Sequence, residues 1–106
     1  MARFDSTVSC GTVDLDGTFD YTPPDPPTSP NGSLGDTYTL DDGTALPMTD
    51  KSTTGATVQF SITPTVGGQT YSFNGAYSSG TEQIVGRTAP CASPKEADDN
   101  WTASAQ

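Results

Sequence analysis

Apolar and polar residues alternate with a period of two along much of this chain, the pattern of strands that bury one face. Phe4, Ser6, Val8 and Cys10 share one parity, with Asp5, Thr7 and Ser9 on the other. Val13, Leu15, Gly17, Phe19 and Tyr21 continue the pattern against Asp14, Asp16 and Asp20. This predicts either one long strand over 12–21 kinked at Gly17, or a three-residue turn Asp16-Gly17-Thr18 that pairs Leu15 with Phe19. A two-residue Asp16-Gly17 hairpin would set Phe19 opposite Asp14 and mix the faces. Tyr38 and Leu40 mark a short strand, followed by an Asp41-Asp42-Gly43 turn and a second short run ending near Pro47. The alternation is clearest in Val58, Phe60 and Ile62 and, across the loop Thr63–Gly68, in Tyr71, Phe73, Gly75 and Tyr77, which predicts an antiparallel hairpin with cross-strand aromatic pairs. After a Ser78-Ser79-Gly80 turn, Thr81–Thr88 forms a last strand around Ile84 and Val85.

Between these runs lie segments without alternation. Residues 22–33 hold five prolines and no large aliphatic group, the signature of an extended, polyproline-like connection ending in an Asn31-Gly32 turn. Residues 49–55 read as an exposed polar loop. Residues 89–106 read as a tail, with Ser93-Pro94-Lys95-Glu96 carrying the capping residues of a short helix. The expectation is an all-β domain over 1–88, a small antiparallel sandwich or barrel of six to seven strands, with a proline-rich loop and a C-terminal tail over 89–106. Its core should comprise Val8, Val13, Leu15, Phe19, Val58, Phe60, Ile62, Tyr71, Phe73 and Ile84.

Composition narrows the function. Eighteen threonines, eleven serines and eleven glycines stand against only four leucines and two isoleucines, so the core is thin and the vocabulary is that of strands and turns. Thirteen acidic residues, four basic ones and no histidine give a net charge of −9. Such a chain cannot assemble the basic face that nucleic acid or an anionic membrane surface requires. It offers no imidazole for acid–base catalysis, for a Ser-His or Cys-His pair, or for a metal. No apolar run approaches the roughly 20 residues of a spanning helix, and no signal peptide is visible at the N-terminus.

Three groups of residues carry candidate chemistry. Asp14-Leu15-Asp16-Gly17-Thr18 fits the D-x-D-G-T motif of haloacid-dehalogenase-like phosphatases. That family needs an α/β sheet, an apolar strand before the motif and a downstream lysine, and we reject the assignment. Asp14, Asp16 and Asp20 are weak Ca²⁺ ligand candidates, but their spacing fails the EF-hand pattern and suits a solvated acidic face better. No cofactor is expected. Cys10 and Cys91 form no C-x-x-C motif; they either bridge, tying the root of the tail to the first strand, or remain two thiols. We favour the bridge, although no leader is visible. Asn31-Gly32-Ser33 and Asn100-Trp101-Thr102 have the form of glycosylation sequons.

Gly11-Thr12-Val13, followed by Asp16-Gly17-Thr18-Phe19-Asp20-Tyr21-Thr22-Pro23, resembles the core phrase of the cadherin-like, Ig-like repeats of bacterial adhesins. The resemblance spans residues 11–23 and implies a β-sandwich. Two functions without catalysis are consistent with these features. One is a structural or assembly protein, such as a decoration or cement subunit on a phage or virus particle, gripping neighbouring subunits, its own copies included, through Trp101 and the prolines Pro24, Pro27 and Pro30. The other is an extracellular adhesin- or lectin-like binding module. The expected location is a virion or an extracellular surface.

Overall fold

The computed structural model describes residues 2–11, 13–24, 31–64, 68–91 and 99–106. These form one antiparallel sheet of nine strands: β1 (Ala2–Val8), β2 (Gly17–Thr22), β3 (Ser33–Leu40), β4 (Ala45–Pro47), β5 (Thr49–Thr54), β6 (Thr57–Ile62), β7 (Tyr71–Ser78), β8 (Gln83–Ala89) and β9 (Trp101–Ala105). The order across the sheet, β4-β3-β2-β1-β9-β8-β7-β6-β5, rolls it into a nearly closed barrel. The all-β, antiparallel expectation holds, but the strand count is nine rather than six to seven. The proline-rich residues 25–30 and the capping sequence at 93–96 lie outside the described residues.

Two of the additional strands come from segments without an obvious apolar face. Residues 49–54 form β5 rather than a loop. The strand is almost wholly exposed and stands in the sheet through its ladder to β6, helped by its β-branched threonines. β4 and β5 are two halves of one extended run interrupted at Met48: the first half pairs with β3 and the second with β6. Asp50, at φ 50°, marks the irregularity that shifts the register. The second correction is larger. The C-terminal residues are not an appendage, because β9 lies between β1 and β8, with Phe4 opposite Ala105 and Gly86 opposite Trp101. The domain therefore extends to the C-terminus.

Strand parity fills the barrel with rings. Phe60 and Phe73, cross-strand partners as their alternation predicts, stack at 4.7 Å between centroids. Trp101 meets both edge-on, at 5.6 and 5.1 Å, and Phe19 and Tyr38 stack at 6.0 Å beside them. Such contacts add about 0.5–1.5 kcal/mol per pair beyond the area that they bury. Room for the indole comes from Gly75, while its partner across β7 and β8, Gly86, allows the close approach of the β7 backbone. A methyl group on Gly75 would stand 3.0 Å from the Trp101 ring, and one on Gly86 would collide with the Asn74 carbonyl.

One polar chain crosses this interior. Tyr38 Oη lies 2.6 Å from the Leu15 carbonyl and 2.8 Å from Ser6 Oγ, while Trp101 Nε1 donates to Ser6 Oγ at 2.8 Å. A phenol has one proton and a carbonyl only accepts. The consistent arrangement has Tyr38 donating to Leu15, with Ser6 donating to Tyr38 and accepting from Trp101. Burial drives the Tyr38 phenol far above its ordinary pKa, with Asp16, Asp41 and Asp14 adding in the same direction and the Ser6 bond opposing it.

Candidate functional site at the barrel mouth

In this meander β1, β3, β6 and β8 all finish at one end, so the described parts of the connections 9–16, 41–44, 63–70 and 90–100 gather there. We call this end the mouth. The described parts of the connections 23–32, 55–56 and 79–82, the start of β1 and the end of β9 lie at the other.

The described parts of the mouth are cross-tied. Cys10 and Cys91 are joined by a disulfide, Cα atoms 5.3 Å apart, which fastens the first connection to the fourth. The Asp41 amide donates to the Asp16 carbonyl at 3.0 Å, fastening the first to the second. Asp16 accepts the Val8 amide on its carboxylate at 2.8 Å, and Asp14 accepts the Asp16 amide at 3.2 Å. In the second connection the Thr44 amide donates to the Asp42 carboxylate at 2.8 Å. That bond holds the Asp42 carboxyl below the usual range. These aspartates therefore organise turns, which is why their spacing looks like a motif.

A cleft of about 270 Å³ opens among these loops, lined by Val13, Asp14, Leu15, Leu40, Asp42, Thr44, Pro64 and Tyr71. A second hollow of about 410 Å³, bounded by Cys10, Gly11, Gln69, Pro90 and Cys91, shares Val13 and Tyr71 with the first. Val13 is 38% exposed, one of two large apolar side chains so exposed among the described residues. It departs from the expected core, since its segment is not strand but a turn bridged between Cys10 and Val13. Tyr71, also expected in the core, is half-buried in the cleft wall.

The remaining expected site residues are scattered. Asp20 projects from β2 and pairs with Arg3 at 2.8 Å, away from Asp14 and Asp16. No group of three or more potential metal ligands occurs among the described residues. The D-x-D-G-T sequence runs from a connection into the start of β2 in an all-β barrel, without the α/β frame that the phosphatase motif requires. Trp101, expected to grip a partner, is 1% exposed and spent on the core. Pro24, half-buried, follows β2 at the end opposite the mouth, and Pro27 and Pro30 lie outside the described residues. Asn100 is buried too: its side-chain amide accepts the Thr88 amide proton at 2.7 Å and donates to the Thr88 carbonyl at 3.2 Å, which removes it as an acceptor for glycan in the folded chain.

No family model, curated protein or solved structure matches this chain.

Proposed function

We propose that this protein is a non-enzymatic binding module whose barrel mouth is its recognition surface, and that it works outside reducing compartments. The observation that carries this reading is the exposed Val13 beside Tyr71 in a cleft whose loops are tied by a disulfide and backbone bonds. A small barrel commonly takes ligands at its mouth, and loops already tied down lose little entropy on binding. Disulfides of this kind persist in oxidising surroundings, which favours an extracellular or surface location. The assembly-subunit reading drew its anchor from Trp101; with the indole buried, that support is gone. The adhesin-like phrase at 11–23 is compatible with an extracellular module.

The test is a fragment library of mixed charge, screened against the folded protein by amide chemical-shift mapping. Perturbations should cluster on residues 10–15, 40–44, 63 and 69–71. Shifts gathering instead around 21–22 and 31–33 would move recognition to the opposite end and overturn the proposal.

A further inference from the structure

We propose that the mouth cleft takes a small organic cation, an ammonium group carried on an apolar or aromatic body; this rests on the binding-module reading above. The walls explain the body. Val13, Leu15, Leu40, Pro64 and Tyr71 line it with apolar surface, and Val13 keeps more than a third of its own surface in solvent. The volume of about 270 Å³ lies just under the span of about 300–1,000 Å³ typical of drug-sized pockets, so the occupant is small.

The charge explains the head. Among the described residues the lining holds two carboxylates, Asp14 and Asp42, and no lysine or arginine. The two ion pairs among the described residues, Arg3–Asp20 and Lys51–Asp36, lie elsewhere and neutralise neither. Backbone amides orient both carboxylates, so their geometry is set before a ligand arrives. The Thr44 amide holds the Asp42 carboxyl below its ordinary range. An ammonium above the Tyr71 face gains a cation–π contribution in addition. A net charge of −9 over the chain draws cations toward it and repels anions. An anionic or neutral ligand of the same shape would leave these two charges unanswered.

The experiment compares three probes of one shape: 2-phenylethylammonium, 2-phenylethanol and 3-phenylpropanoate, titrated by chemical-shift mapping and calorimetry. The ammonium should bind about tenfold or more tighter than the alcohol, the carboxylate should not bind, and about 0.5 M salt should erase much of the difference. The double variant Asp14→Asn/Asp42→Asn keeps an amide oxygen for each turn bond and removes both charges. It should melt like the parent and bind the ammonium no better than the alcohol. Equal affinity for ammonium and alcohol, or full ammonium affinity in the double variant, overturns the cation assignment while leaving the mouth as a binding surface. Perturbation of the mouth by none of the three overturns the cation assignment outright, and only the mixed library then decides the wider reading.

Discussion

The barrel closes on itself in two places, and it does so by different means. On one side β9 fills the gap between β1 and β8 with backbone ladders on both edges, and Trp101 drives its indole to the centre of the core. On the other side β3 and β5 meet at a seam held by side chains. Lys51 donates to the Gly35 carbonyl at 3.1 Å and to Asp36 at 2.7 Å, Thr53 donates to the Gly32 carbonyl at 2.7 Å, and the Gly55 amide donates to Asn31 at 2.8 Å. A ladder backed by an aromatic core is insensitive to salt and fails only with the whole fold. A seam of exposed polar contacts is weak, since screened surface ion pairs contribute on the order of 0–1 kcal/mol.

The strongest way to break this comparison is to remove the ladder side. Deleting residues 99–106 should abolish the fold, seen as loss of dispersed amide resonances; a variant that stays folded would make β9 an accessory strand. Trp101→Ala should cost about 3–5 kcal/mol in denaturant unfolding, a large part of the roughly 5–15 kcal/mol available to a domain. If the loss is below about 1 kcal/mol, the indole is not the keystone of the core.

Tyr38→Phe tests the polar chain behind the ladder. It leaves the Leu15 carbonyl without its donor and should cost about 1–3 kcal/mol near neutral pH. Because the folded-state phenol is raised, its contribution is complete below the ordinary tyrosine value of about 10 and is lost as pH rises beyond it, when the unfolded chain ionises first. Tyr38→Phe should therefore flatten the alkaline fall in stability. Some slope will remain, because burial and the neighbouring Tyr77 raise Tyr21 in the same direction. An unchanged alkaline limb would show that Tyr38 is not the group responsible.

The smallest effect belongs to the seam. Lys51→Met should lower the melting temperature slightly at low salt and hardly at all at high salt. The Lys51 hydrogen bond, with its charge, holds Asp36 below the usual carboxylate range. The seam's contribution is thus complete above about pH 4 and fades as acid protonates Asp36. A large, salt-independent loss would mean that the two closures are equivalent after all.

The same contrast explains what could be read from the sequence. Strands β6 and β7 were legible because Val58, Phe60, Ile62, Tyr71 and Phe73 are large residues alternating with polar ones. β9 was not. Its inward residues after Trp101 are Ala103 and Ala105, and Gly75, which admits the indole, lies twenty-six residues earlier in the chain. β5 shows no periodicity because neither of its faces is buried. At the mouth, Asp14 was conspicuous for a misleading motif. Val13 has the parity of a core residue, but parity cannot tell a strand from a bridged turn, and Tyr71, the first residue of β7, is only half-buried because it stands at the mouth. The cleft itself is assembled from connections far apart in sequence, and only the strand order brings Asp42 and Pro64 beside Asp14.

The Cys10–Cys91 bond divides the polypeptide topologically into a covalent ring and two free arms. The ring carries β2 through β8, and the arms carry β1 and β9, which pair with each other. The arms end side by side: the Gln106 amide donates to the Arg3 carbonyl at 2.9 Å, and its side chain donates to Asp5 at 2.6 Å. A protease that nicks the proline-rich stretch between β2 and β3 would thus release no fragment until the disulfide is reduced. The juxtaposed termini also make the chain suited to head-to-tail ligation, and any fused partner would leave from the end away from the mouth.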